Sequence, residues 1–288
     1  MSADTAEQAG TSRPGRYRSP AERFLSSSFK LARGRHVDPG GVRGYPIDFS
    51  AKAAGTELLP GFLHHPGRPL WVAHCQRGLG SFERHLAGDG EQWLDAARRA
   101  ADLLIEHQSD DGGWVQTAPY PHTYVLRPPW VSAMAQGEGA SLLVRVHAAT
   151  GDDRYAEAAV RALGPMRRAS ADGGASAELD GRWFPEEYPT DPPSFVLNGA
   201  VFALWGLRDV GVGLGDRDAA RDFEAGVDAL AHSIERWDTG SWSRYDLHPH
   251  RVTNVASRAY HDLHVAQLEA MDELAPRPEL HAAAARES

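Results

Sequence analysis

At 288 residues, 42% of them hydrophobic, the chain is long enough for one large domain that buries about 75% of its unfolded surface without cross-links. A formal net charge of −9 excludes general nucleic-acid binding and speaks against a polyanionic partner, except at local clusters such as Arg33, Arg35 and Arg43 or Arg244, Arg251 and Arg258. The single cysteine, Cys75, permits no internal disulfide.

Residues 1–20 carry neither the apolar core of a signal peptide nor a bilayer-length segment. The expectation is a soluble, cytoplasmic protein with a disordered N-terminal tail and no membrane partner. Over 21–54 two short strand-like runs flank Asp38-Pro39-Gly40-Gly41, a turn that predicts a β-hairpin lying as a flap against the main body. Tyr45 and Asp48 either cover a cleft there or only close the hairpin.

From Trp71 the chain repeats. The pairs Gly88-Asp89, Gly151-Asp152 and Gly215-Asp216 are spaced 63 and 64 residues apart, and each separates an apolar helix from an amphipathic one. The first helices are expected at 71 to 87, 131 to 150, 194 to 210 and 257 to 274, and the second at 91 to 108, 153 to 170 and 216 to 236. Such hairpins cannot bury their apolar faces singly and must stack. The apolar set belongs inside and the amphipathic set outside. That predicts an all-α fold, an incomplete α/α toroid over 55–276, followed by a C-terminal tail over 277–288.

In that architecture the loops before the inner helices share one mouth. They carry Tyr120, His122 and Tyr124, then Glu186, Glu187 and Tyr188, then Arg244, Tyr245, His248, His250, Arg251 and Asn254; Tyr260 and His261 open the last inner helix. The middle loop is the most unusual. Pro185, Pro189, Pro192 and Pro193 forbid helix before them and stiffen the segment, and Ser194 is read as the N-cap of a helix from Phe195. Gln136 and Glu138 alternate with Gly137 and Gly139 in another inner helix. Either a neighbouring helix approaches closely there or the polar pair lines the pocket. Trp114 and Trp130 read as sugar-stacking or as core residues. His261 and His264 share a helix face, but no third metal ligand stands at a recognisable spacing.

The run E-E-Y-P-T, followed by P-x-x-F-V-L-N-G, resembles the C-terminal catalytic domain of the D-glucuronyl C5-epimerase family, in a short, bacterial-type form. Four more segments agree in order: D-G-G-W at 111 to 114, W-V-S-A-M-A-Q-G-E-G at 130 to 139, D-T-G-S-W-S-R-Y-D-L at 238 to 247 and Y-H-D-L-H-V-A-Q-L at 260 to 268. The likeness covers roughly 100 to 274. It implies an incomplete α/α barrel that inverts D-glucuronate to L-iduronate in a saccharide by removing and returning the carbon-5 proton, with no cofactor. The separate β-rich domain of animal members is expected to be missing at this length.

The resemblance further assigns Glu187, Tyr188 and Tyr260 as the catalytic set. Tyr124, Trp130, Gln136, Glu138, Glu186, Arg244, Tyr245, His248, Arg251, Asn254, His261 and Arg77 are candidates for holding substrate. Two departures stand out. His248 occupies the place after Y-D-L where animal members carry an arginine, and C-Q-R-G-L-G puts Arg77 where bacterial relatives carry a tyrosine; Arg77 is either a substitute carboxylate ligand or an exposed helix-end residue. A polysaccharide lyase, a glycoside hydrolase using Glu138, Glu186 and Glu187, and a lectin-like cleft also fit the same residues. A homodimer is left open.

Overall fold

Two of the three Gly-Asp pairs, Gly151-Asp152 and Gly215-Asp216, end one helix and start its partner. The computed structural model describes residues 31–53, 70–119 and 122–287; the tail over 1–20, the first strand-like run and Tyr120 lie outside them. Among the described residues the helices are Trp71–Leu86 (α1), Gln92–Glu106 (α2), Ala133–Thr150 (α3), Asp153–Ala162 (α4), Leu197–Leu214 (α5), Arg217–Ser233 (α6), Arg258–Leu274 (α7) and Pro278–Glu287 (α8). Gly151 and Gly215 close α3 and α5 in the left-handed region, at φ 71° and 69°, where a Cβ would be penalised. Asp152 and Asp216 then cap α4 and α6 by accepting the N–H groups of Arg154 and Ala219. Asp89 does not repeat this: its carboxylate takes the Arg84 guanidinium instead.

The helices pair as α1 with α2, α3 with α4, α5 with α6 and α7 with α8, while the first helices also pack in sequence, α1 on α3, α3 on α5 and α5 on α7. The expected division of character holds. α3 is buried all round from Ala133 to Val146 and α5 from Leu197 to Val210, whereas α4 and α6 bury one mainly apolar face and leave most of the opposite side exposed. α3 and α5 come closest where two glycines meet: a Cβ on Gly206 would stand 2.3 Å from the Gly137 Cα.

Several elements differ from expectation. Segment 31–53 forms no regular hairpin strands; it is a looped antiparallel turn with one bridge, Arg33 to Ile47. It does lie against the main body, as so short a segment must. Tyr45, Ile47 and Phe49 are fully buried, with Tyr45 against Phe202 and Trp205. The Glu83 carboxylate accepts the Tyr45 N–H at 2.6 Å. The buried Arg145–Asp209 pair and Arg208 hold the segment's Gly44, Gly41 and Pro39 carbonyls. The segment therefore seals the ends of α1, α3 and α5 that lie away from their N-termini.

The second helix of the middle pair ends at Ala162 rather than near 170, because Gly164 and then Pro165 interrupt its hydrogen bonds. Beyond the boundary expected at 276 the chain is helical, and α8 buries Leu280, Ala283 and Ala284 as the outer partner of α7. The one sheet among the described residues pairs Ser176–Leu179 (β1) with Arg182–Pro185 (β2), antiparallel, Leu179 opposite Arg182. Its turn, Asp180-Gly181, takes φ 51° and 75°, which fits a two-residue type I′ turn. No helix among the described residues is long and apolar enough to cross a membrane.

Candidate active site

β2 delivers the acidic loop. Past Pro185 the Glu186 N–H donates to the Ala175 carbonyl at 2.9 Å, and the Ala133 N–H at the start of α3 donates to the Glu186 carbonyl at 3.0 Å. The Glu186 side chain is fully enclosed. It accepts the Ser194 N–H at 3.0 Å, the Ser194 hydroxyl at 2.7 Å and the Phe195 N–H at 2.8 Å. Ser194 is thus not a helix cap: Phe195 stands at φ 48°, outside helical space, and α5 starts only at Leu197. Burial pushes the Glu186 carboxyl up to about 7 in spite of its donors.

Glu187 lies against the first turn of α5, where Gly199 makes room; a Cβ there would meet the Glu187 Oε2 at 2.3 Å. That oxygen is enclosed without a hydrogen-bond partner. Burial raises the Glu187 carboxyl to about 7, while a hydrogen bond with Tyr188 works the other way and Glu186 adds to the rise. A carboxyl so placed takes up and returns protons near neutrality.

Tyr188 is 9% exposed. Its ring sits 4.2 Å from that of His122, 5.3 Å from Tyr124 and 6.1 Å from Trp130. On the other flank Tyr245 and Tyr260 have ring centres 4.7 Å apart. Tyr124, Trp130, Tyr188 and Tyr245 form one buried cluster with Leu126, Val196 and Ala256, and half-buried Tyr260 packs on it. Burial and then the neighbouring Tyr260 hold the Tyr245 phenol well above the ordinary range, so it is a neutral donor. His122 is pushed down to about 4 by burial, so its ring is uncharged at neutral pH.

A carboxylate that sequence reasoning passed over stands behind this cluster. Asp246 is 2% exposed. Its Oδ2 accepts from the Tyr124 hydroxyl, from the Asn254 amide at 2.6 Å and meets the His250 Nε2 at 3.2 Å. Its position inside the Y-D-L motif was the only signal available.

The remaining candidates divide. His248 joins the rim, its ring 5.4 Å from Tyr124 and its Nδ1 3.1 Å from the Pro192 carbonyl. Arg251 is exposed, and the Arg244 Nε is enclosed without a hydrogen-bond partner. His261 is turned aside: it stacks on Trp242 at 3.9 Å, and its Nδ1 shares the Ser243 hydroxyl with the His264 Nδ1 at 2.9 and 2.8 Å. Gln136 is engaged elsewhere. Its amide accepts the Trp114 N–H and donates to the Gly112 and Ala162 carbonyls, while Trp114 is fully buried core.

Glu138 is deeply buried beneath the site, joined through Gln76, at 2.7 Å, to the Lys52 ammonium of the N-terminal segment, at 2.6 Å. Burial raises its carboxyl well above the ordinary range. The glycines beside it serve close packing, Gly137 against Ala203 and Gly139 against Trp114. Arg77 is buried in the middle of α1 and not exposed at a helix end. In the N-terminal basic cluster Arg33 pairs with Glu273 and Arg35 with Asp48. Among the described residues no three His, Cys, Asp or Glu side chains gather as metal ligands.

Residues 107–286 match the family model described as the D-glucuronyl C5-epimerase C-terminus. The chain is 36% identical over 223 residues to a D-glucuronyl C5-epimerase of Caenorhabditis elegans, a match covering 71% of this chain and 36% of the worm protein. It is 29% identical over 160 residues to an uncharacterised protein of Methanocaldococcus jannaschii, covering 54% of this chain and 50% of that one. The chain therefore spans half or less of the length of these curated relatives. With the family model spanning the loop of Glu187 and Tyr188, the Y-D-L turn and α7, the chain belongs to the family of the D-glucuronyl C5-epimerase C-terminus.

Proposed function

We propose that the chain is a uronyl C5-epimerase that inverts D-glucuronate to L-iduronate within a saccharide, without a cofactor. The observation that carries this reading is the meeting of Tyr188, backed by Glu187, with Tyr260 around the ring of Tyr245. Supporting it further, the first helices lie side by side in order, as an incomplete α/α toroid requires, with the acidic loop at the N-terminal ends of α3 and α5.

Carbon 5 loses its proton to one phenolate, and the C–H electron pair moves into the adjoining carboxylate. The second phenol then protonates the opposite face, so the sugar regains one proton while the two phenols exchange protonation states. Glu187, titrating near 7, accepts the proton that makes a phenolate and resets the pair through solvent. Each such group contributes about 10² to 10⁴-fold. The developing dianion needs positive charge, and Arg244 and Arg251 on the loop that carries Tyr245 are the cations we assign to the uronate carboxylate, with His248 beside them as a ring that can hydrogen-bond it. Tyr245 donates a hydrogen bond to the same region.

Glucuronate-containing glycans incubated in heavy water and read by NMR test the proposal. Deuterium at carbon 5 together with iduronate signals is the expected result. An ultraviolet-absorbing unsaturated uronate would mark a lyase, new reducing ends a hydrolase, and no deuterium a binding module; each of these overturns it.

A further inference from the structure

Asp246 is assigned no step of the chemistry, yet its surroundings are built around it. Its Oδ2 gathers the Tyr124 hydroxyl, the Asn254 amide and the His250 ring in a site almost closed to solvent. A buried carboxylate is retained at a desolvation cost and needs such donors to remain in place. Two of them come from its own loop. The third comes from the distant segment before α3.

Tyr124 is the link to the reacting phenol. With its hydroxyl turned to Asp246, its ring becomes a wall: His122 stacks on it at 4.9 Å and 17°, His250 at 5.9 Å and 30°, and the edge of His248 meets it at 5.4 Å. His122 and Tyr124 together form the surface on which the Tyr188 ring rests, at 4.2 and 5.3 Å. We infer that Asp246 is a positioning residue for Tyr188, acting through the Tyr124 and His122 rings. This inference rests on the epimerase reading for its kinetic consequence but not for its geometry. A catalytic group must be held to about 0.5 Å, and a displacement of about 1 Å can cost about 10²-fold in rate.

The competing explanation is that Asp246 only closes the 246–254 loop. Tyr124→Phe separates the two, because it leaves the bonds of Asp246 to Asn254 and His250 intact while cutting the link to the stack. Positioning predicts that Tyr124→Phe and Asp246→Asn each lower kcat for carbon-5 exchange about 10 to 100-fold with KM within about twofold, and that the double variant is no slower than either alone. It also predicts that the Tyr188 ring resonance moves in spectra of carbon-13 tyrosine-labelled protein for both variants. A Tyr124→Phe protein with unchanged kcat and an unmoved Tyr188 resonance overturns the inference, as do losses that simply multiply in the double variant. If Asp246→Asn does not fold, Tyr124→Phe decides alone. Should the wild-type protein exchange no deuterium on any glycan, the epimerase reading fails while the tyrosine resonance still decides the positioning role.

Discussion

The Glu186 carboxylate receives the backbone N–H of Phe195 at 2.8 Å, and Phe195 stands at φ 48°. A non-glycine residue there costs about 1 to 3 kcal/mol and persists only when its neighbours over-determine it. Here the neighbours are the three donors on Glu186 and the Trp237 indole, which donates to the Phe195 carbonyl at 3.0 Å. Glu186 therefore fastens the loop that presents Glu187 and Tyr188. Glu186→Ala is expected to lower unfolding stability by about 3 kcal/mol, since two buried N–H groups lose their acceptor. Chemical denaturation checks this; a loss below about 1 kcal/mol would show that the turn holds without its staple.

Tyr260 packs on the cluster while remaining half-exposed. Tyr260→Phe removes the hydroxyl to which the proposed mechanism gives a proton, and little packing. Deuterium exchange at carbon 5 is expected to fall at least about 10²-fold with thermal unfolding nearly unchanged, and retention of full exchange would remove Tyr260 from the mechanism.

Two glycines of α5 face different neighbours. Gly199 faces the Glu187 carboxylate and Gly206 faces the backbone of α3. Gly206→Ala is expected to destabilise by about 1 to 3 kcal/mol, as overpacking does. Gly199→Ala would meet the Glu187 Cβ at 2.5 Å as well as its carboxylate, so it pushes on the acidic loop rather than on a helix, and its larger effect falls on activity. Denaturation and exchange measured on both variants check the contrast, which fails if Gly199→Ala keeps wild-type exchange.

Titration divides the buried groups into opposed sets. Glu186 and Glu187 titrate near 7 in the fold against 4.5 ordinarily. The folded chain therefore holds more protons than the unfolded one between those values, and stability falls as pH rises through them. His74 and His122 near 4 and His264 near 3, against 6.5 ordinarily, do the reverse: the unfolded chain holds more protons, and stability rises over their window. Glu187→Gln deletes one member of the first set. Between about pH 5 and about pH 8 its unfolding free energy is expected to change more favourably than that of the wild type by roughly 2 to 3 kcal/mol. Equal changes would show that Glu187 is ionised throughout.

The helical repeat was legible because glycine at Gly151 and Gly215, followed by aspartate, marks a helix end and a helix start by local chemistry alone. The stiff loop at Glu186 to Tyr188 was legible for the same reason. What local chemistry does not encode was missed or misread. Ser194 has the composition of a cap, but its hydroxyl is taken by a carboxylate eight residues earlier. Gln136 is polar beside glycines, yet its amide is used by three backbone groups from other segments. Asp246 acquires its place only when Tyr124, distant in the chain, arrives beside it. The β1–β2 turn was open to reading from Asp180-Gly181, but its strands are only four residues each and lie within a run otherwise rich in loop residues.

The glycine seam between α3 and α5 has a mechanical outcome. Because these two rods touch at backbone distance and Ala133 is tied to the Glu186 carbonyl, Trp130 and Tyr188 ride on a single stiff block. α7 meets α5 over a much shorter stretch. The Tyr260 side of the cluster is therefore less firmly tied to α5 than the Tyr188 side, and a measurement of motion in the two tyrosine rings is expected to show the difference there.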